Sequence, residues 1–475
     1  MLNIFQNLFQ SLHSERVEFC NWKSHFEVDR FLQGDGDLDL FIPLASKNNF
    51  EKIAIKSGFK KVLSYQGNHD YIDHYYGFDI HTFKFAHIHV YFKIVTGEHM
   101  SKNYILPLEE YIKDNTNYSK ILPSMNEQGR HSIFLIRYFL KIGSIYGLAQ
   151  YFREKQKYYL EWNSYKPIER YDQIEALNLS SKELSLLDNA YESSNFFYKL
   201  YLSFFIQRKF KSFRRRSYIN LKIFNAMNFF KRLINRIFLK KKKLLDPGFV
   251  AAICGLDGSG KSSVVVALEE NFSKHFSVKM FHLGRPRSNI FTLIFKPFFV
   301  SYSYVRRLRI TNKNKVIKKD KNKISIIYAI RSVLLAYDRR VEAKKAHRYS
   351  QRGYLVICDR YPGLLEGKMD SPRIHKDTSR NSLYQFCYRL EQALYKSIKK
   401  ADIIFHLSVS IEEAIKRNNM REKFGKETDD ELRERYQINS GVTFLSDNYN
   451  FIDATVPFSN VLSEVIKDIW MFTDK

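Results

Sequence analysis

Gly255-Leu256-Asp257-Gly258-Ser259-Gly260-Lys261-Ser262 puts two glycines, a lysine and a hydroxyl in the spacing GxxxxGK[ST]. Glycines let a backbone curl until successive N–H groups point at one anion, and a helix that starts at the lysine adds the positive end of its dipole. Lys261 would reach the β- and γ-phosphates of a nucleoside triphosphate, and Ser262 would ligate Mg²⁺. Gly255, Asp257, Gly258, Ser259, Gly260, Lys261, Ser262 and Ser263 are therefore the candidate triphosphate-binding residues. The flanks agree, because Phe249 to Ile253 reads as a strand and SSVVVALEEN as a helix.

A second set of groups lies far upstream, in Gly34-Asp35-Gly36-Asp37-Leu38-Asp39-Leu40. Strand alternation puts Asp37 and Asp39 on one face, where two carboxylates can hold a hard cation. Asp79, in Gly77-Phe78-Asp79-Ile80-His81, is the expected third member on a neighbouring strand. A calcium loop is excluded, since Leu40 replaces the glycine of its sixth position and Ser46 the glutamate of its twelfth. His81, His87 and His89 are close in sequence but have no cysteine partners, so metal binding is assigned to the aspartates.

The elements that must position these groups follow from length and patterning. A chain of 475 residues exceeds one ordinary core and implies two or three domains. From 249 onward FVAAIC, VKMFHL, YLVICD, ADIIFHLSV and NFIDA alternate with helical patterns, which predicts a parallel sheet covered on both faces. Ligands of such sheets bind beyond the carboxyl ends of the strands, here after Cys254, Leu283, Asp359 and Val409. The expected fold class is α/β: a P-loop parallel sheet over 248–475, preceded by an α+β domain over 1–129 and a helical extension over 130–205. A basic amphipathic linker over 206–247 joins them. No signal peptide pattern opens the chain and no run approaches a transmembrane length, which predicts a cytoplasmic protein.

The downstream residues resemble thymidylate kinase and its relatives. The likeness runs through LLAYDRRVEAKKAHRYSQRGYLVICDRYPG, ADIIFHLSVSIEEAIKRNNMREKFG and NFIDATVPFSNVLSEVIKDI, covering most of 248 to 472. It implies that Asp359 lies near Mg²⁺, that Arg360 and Arg339 grip the acceptor phosphate, and that Asp257 lies near the acceptor sugar. It also implies a mobile lid carrying Arg417 and Arg421. Gly258 occupies the position where some family members have an arginine inside the loop, so the lid must supply the cationic clamp on the moving phosphoryl group. Two departures stand out. HLGRPRS (282 to 288) replaces the family's glycine-rich acceptor loop while keeping Arg285, and GLLEGKMDSPRI stands where the base pocket would be completed. The acceptor is thus a nucleotide or a sugar phosphate rather than thymidylate by default.

The aspartates of the first domain resemble the nucleotidyltransferase superfamily, where a glycine, a DxD pair and a third acid hold two Mg²⁺ ions. Asn21-Trp22-Lys23-Ser24 stands in place of the family's Gly-Ser, with Lys23 as a phosphate contact. ATP and Mg²⁺ are accordingly the expected cofactors.

The net charge of +27 is concentrated. Residues 208 to 243 hold 14 basic side chains and no acid, and 306 to 331 hold ten with only Asp320. A diffuse nucleic-acid coat is the weaker reading. Phe224, Met227, Phe230, Leu233, Ile234, Ile237 and Phe238 recur at helical spacing among the cations, the pattern either of a helix at an anionic membrane surface or of a basic interdomain helix packing its apolar face on the second domain. A homodimer is left open. The rival functions are a nucleotide-dependent switch without turnover and a nucleotidyltransferase acting on RNA ends.

Overall fold

The computed structural model describes the chain apart from residues 65–68, 99–100, 144, 166–167, 238–241, 246–247, 312–324, 378–380, 421–427 and 473–475. Two compact units emerge, Met1–Leu245 and Asp246–Lys475.

The first unit is built on an eight-stranded mixed sheet of order β10-β3-β4-β5-β2-β1-β9-β8. Its strands are β1 (Cys20–Asn21), β2 (Asp37–Phe41), β3 (Phe59–Leu63), β4 (Ile72–Asp79), β5 (Lys84–Tyr91), β8 (Thr116–Asn117), β9 (Ser124–Met125) and β10 (Lys243–Leu244); β6 (Ile94–Thr96) and β7 (Tyr104–Leu106) form a separate hairpin. Register sorts the side chains. β2 runs parallel to β5 with Asp37 opposite His87 and Asp39 opposite His89. β4 runs antiparallel to β5 with His74 opposite His89 and Tyr76 opposite His87. Alternation then turns Leu38, Leu40, Ile88 and Val90 to the other face, into one core with Phe5, Leu8 and Phe9 of the first helix, Asn3–Ser14. The sheet thus has one apolar face and one face of carboxylates, imidazoles and ammoniums.

The helix Glu127–Ile142 is buried nearly all round, in a core shared with residues of Ser181–Glu192 and Phe196–Lys209. The segment read as a linker forms the helix Tyr218–Ile237 and then β10, which pairs with β3 and so adds an edge strand to the first unit's sheet.

The second unit is a five-stranded sheet of order β12-β13-β11-β14-β15, made of β11 (Val250–Gly255), β12 (Val278–His282), β13 (Leu355–Asp359), β14 (Ile403–Ser408) and β15 (Tyr449–Asp453). All four pairings are parallel. Parallel strands need crossovers, and the helices Lys261–Ser273, Ile326–Ser350, Ser382–Lys396, Ile411–Asn419 and Phe458–Phe472 lie between or after them. The register pairs Ile253 with Asp359, so Asp359 ends β13 beside the strand that feeds the glycine loop.

Candidate active site

The loop between β11 and the helix Lys261–Ser273 takes its shape from glycines that nothing else can replace. Gly255 sits at φ +143°, and a Cβ there would lie 2.3 Å from the Leu407 carbonyl oxygen. Gly258 sits at φ +89° with a would-be Cβ 3.0 Å from the Ala414 Cβ. The loop is therefore pressed against β14 and the helix Ile411–Asn419. Gly260 precedes the helix at φ +83°, which aims the first N–H groups of that helix into the loop.

Lys261 is buried, and its ammonium donates to the Leu256 carbonyl at 2.6 Å, within the loop itself. Burial lowers its pKa to about 8, with Arg360 adding to the effect and Asp257 and Asp359 opposing it. Ser262 Oγ donates to Asp359 Oδ2 at 3.5 Å. The other carboxylate oxygen, Asp359 Oδ1, is buried without a hydrogen-bond partner, as is Ser259 Oγ. An orphaned carboxylate oxygen next to a serine hydroxyl fits a hard, oxygen-seeking cation, so Ser262 and Asp359 suit Mg²⁺.

Asp257 lies at the centre of the charges. Its Oδ1 accepts from Arg360 at 3.0 Å, its Oδ2 pairs with Arg435, and Lys261 Nζ stands 3.9 Å away. Burial would raise the carboxyl pKa, yet Lys261, Arg435 and Arg360 hold it below the usual range. Tyr436 donates its hydroxyl to the Asp257 carbonyl at 3.0 Å. Arg360 reaches onward to Asp370 at 3.3 Å. Beyond that pair opens a cleft of about 330 Å³ lined by Arg285, Arg360, Arg373, Arg435, Lys368 and Asp370. Five cations line the cleft against one lining carboxylate, with Asp257 paired to two of them, an excess of positive charge that suits an anion.

The structure brings Arg285 and Arg360 to the cleft but corrects the expectation for Arg339. That side chain has 0% exposure and donates to the carbonyls of Leu283 (3.0 Å) and Gly284 (3.2 Å), to Asp370 (2.7 Å) and to the Tyr395 hydroxyl. With its donors spent on protein it positions the 283–284 backbone and Asp370 rather than touching a ligand. Arg373, Arg435 and Lys368 are the cleft residues that sequence reasoning missed. MDSPRI and ELRERYQ carry the two arginines, but no local spacing joins them to Asp257.

Arg417, on the helix Ile411–Asn419, is tied to Glu413 at 2.8 Å and to the Ala454 carbonyl at 2.8 Å, and extends to the Gly258 carbonyl at 3.5 Å. It already stands against the glycine loop. Arg421, with Lys423 and Lys426, lies outside the described residues.

In the first unit the polar sheet face gathers Asp37, Asp39, His74, His87 and His89. Asp39 is 6% exposed, 3.0 Å from Lys23 Nζ, which also donates to the Tyr91 hydroxyl at 2.7 Å. Burial would raise the Asp39 carboxyl, yet Lys23 and His89 hold it far below the usual range. Asp37 contacts His87 Nδ1 and stands 3.6 Å from His89 Nε2. Burial pushes His87 down to about 3, so its imidazole is neutral. Asp79 does not join them. It lies an odd number of residues from Tyr76 on β4, hence on the opposite face, and accepts from the N–H groups of Ile4, His81 and Thr82 as a turn cap. His81, in that turn, is likewise absent from the cluster, and His74 takes its place.

No family model matches the chain. It is similar to the Uncharacterized ATP-binding protein YghR of Escherichia coli (strain K12), at 25% identity over 227 residues, 47% of this chain and 87% of that protein. The Uncharacterized ATP-binding protein YghS of the same strain matches at 25% over 228 residues, 47% of this chain and 93% of that one. Among solved structures, a thymidylate kinase from Candida albicans aligns with 48% of this chain and 93% of its own, at 16% identity and a TM-score of 0.31.

The depressed ammonium of Lys261 has a measurable consequence. Bound phosphate restores its charge, so triphosphate affinity should be nearly flat from about pH 7 to 8, where the terminal phosphate is fully ionised, and fall by up to about tenfold per pH unit above pH 8. Titration calorimetry with ATP across that range checks this, and Lys261→Arg, which stays charged, should lose the dependence. A flat wild-type profile would contradict it.

Proposed function

We propose that the second unit transfers the γ-phosphoryl group of ATP to a phosphate-bearing acceptor, a nucleotide or a sugar phosphate, in the manner of a thymidylate kinase. The observation that carries this reading is the continuity of charge from Lys261 through Asp257 and Arg360 to the arginine-lined cleft. Donor and acceptor phosphates would meet at one end of one sheet. The two relatives described as ATP-binding support the donor side.

The roles follow from position. Inward N–H groups of the loop and Lys261 hold the β- and γ-phosphates. Ser262 and Asp359 would hold Mg²⁺, which when bound would supply charge neutralisation at the phosphates. Arg285, Arg360, Arg373 and Arg435 orient the acceptor, and Arg417 clamps the group in flight, a role that the sequence resemblance, not position, extends to Arg421. Electrostatic positioning of this kind supplies most of the rate in phosphoryl transfer. Lys261→Ala should lower ATP-dependent transfer by about a hundredfold or more at unchanged fold. Arg373→Ala and Arg435→Ala should act chiefly on the acceptor KM. Mass analysis of products from nucleoside monophosphates and sugar phosphates reads both. Undiminished turnover in Lys261→Ala would end the proposal, and tight ATP binding without any acceptor-dependent ADP would favour the switch.

For the first unit the nucleotidyltransferase reading keeps Asp37 and Asp39 but not Asp79, and it rests on those two residues alone.

We also propose that the helix Tyr218–Ile237 lies against an anionic membrane surface, because its polarity is inverted. It buries Asn225, Asn228 and Asn235, while Ile219 (70%), Met227 (65%), Phe230 (61%) and Ile237 (68%) face outward. Lys222 and Lys231 are exposed beside them, the complement of an anionic headgroup layer. Among the described residues no helix is long and apolar enough to cross a membrane. The full chain should sediment with phosphatidylglycerol vesicles and not with phosphatidylcholine ones, and Phe230→Glu with Leu233→Glu should release it. Absence from the anionic vesicle pellet would refute the assignment.

A further inference from the structure

The three imidazoles on the first unit's polar face have no part in the phosphotransfer reading. His74 on β4 is directly opposite His89 on β5, and His87 follows two residues before His89 on the same face. One nitrogen from each lies within 4.8 Å of the other two. The rings of His74 and His89 stand 4.3 Å apart and those of His87 and His89 4.4 Å apart, in both cases nearly perpendicular. His74 Nδ1 is buried with no hydrogen-bond partner. Three convergent imidazoles, one with a buried lone pair or proton unsatisfied, are costly to assemble unless something takes up the nitrogens.

Asp37 adds the missing charge. Its carboxylate holds His87 Nδ1 on one side and faces His89 Nε2 at 3.6 Å on the other. A carboxylate fixing the far nitrogen of an imidazole sets which nitrogen is free to ligate. Asp39 is paired with Lys23 at 3.0 Å, so Asp37 is the carboxylate of the face that is left to the imidazoles and Lys242. Lys242 marks where a cation is welcome: its ammonium lies 3.2 and 3.4 Å from the two ring nitrogens of His87 and donates to the Tyr76 hydroxyl at 2.7 Å. An ammonium is a point cation on a flexible stem, able to yield to a better one.

We propose that His74, His87 and His89, with Asp37 as the anionic partner, form a binding site for a divalent ion of the zinc class, and that Lys242 competes for it. Three imidazole nitrogens suit Zn²⁺, Co²⁺ or Ni²⁺, whereas Mg²⁺ and Ca²⁺ prefer oxygen sets. The site thus differs in ligand chemistry from the two-carboxylate Mg²⁺ arrangement that the sequence of the first domain suggests.

The test is a Co²⁺ titration of the full chain after chelator treatment, read by visible d–d absorption and by competition with Zn²⁺. The wild type should bind one equivalent, and excess Mg²⁺ should leave the band unchanged. His74→Ala, His89→Gln and Asp37→Asn should each weaken binding by about tenfold or more, with circular dichroism confirming the fold of each. Lys242→Met should tighten it, and His13→Ala, elsewhere in the unit, should leave it unchanged. No cobalt band in the wild type, its loss to equimolar Mg²⁺, or equal affinity in the folded His74→Ala and Asp37→Asn variants would overturn the proposal.

Discussion

One carboxylate, Asp257, makes the second unit's site physically tenable. Arg360, Arg435 and Lys261 would repel one another across a few ångströms of half-buried space, and a lone buried cation is costly. Asp257 gathers all three on the loop that would carry the donor phosphates. It can do so only because Gly255 and Gly258 let that loop bend into contact with β14 and the helix behind it. A phosphate entering the cleft would meet Arg360 and Arg435 already held by Asp257, so part of the cost of orienting the cations is met by the fold rather than at the moment of binding.

The first unit solves a related problem on a sheet. Its apolar face is filled by Leu38, Leu40, Ile88 and Val90, which leaves the alternate residues of the same strands to carry charge. Lys23 and Asp39 compensate each other, and Asp37 with the imidazoles and Lys242 forms a second group. Such a face is stable when each charge has a partner, and those partners come from five separate stretches of chain.

Local patterns were readable without coordinates. The glycine loop, its strand and its helix lie within about 25 consecutive residues, where spacing alone dictates backbone shape, and the alternating apolar runs marked the five parallel strands. Arg285 and Arg360, singled out from short motifs, both line the cleft. Asp79 was misread because identical strand residues face opposite ways depending on parity, and parity against a neighbour is set by register. Arg339 was misread because its motif does not record that Leu283, Gly284, Asp370 and Tyr395 consume its donors.

By itself, then, the sequence determined which segment can wrap a triphosphate, which segments alternate as strand and helix, and where the basic charge is concentrated, since each depends on neighbours in the chain. Tertiary structure decided which arginines share a cleft, which carboxylate each cation meets, and that His74 rather than His81 joins His87 and His89. Those outcomes depend on register and on contacts between residues tens to hundreds of positions apart, and side-chain identity along the chain does not encode either one locally.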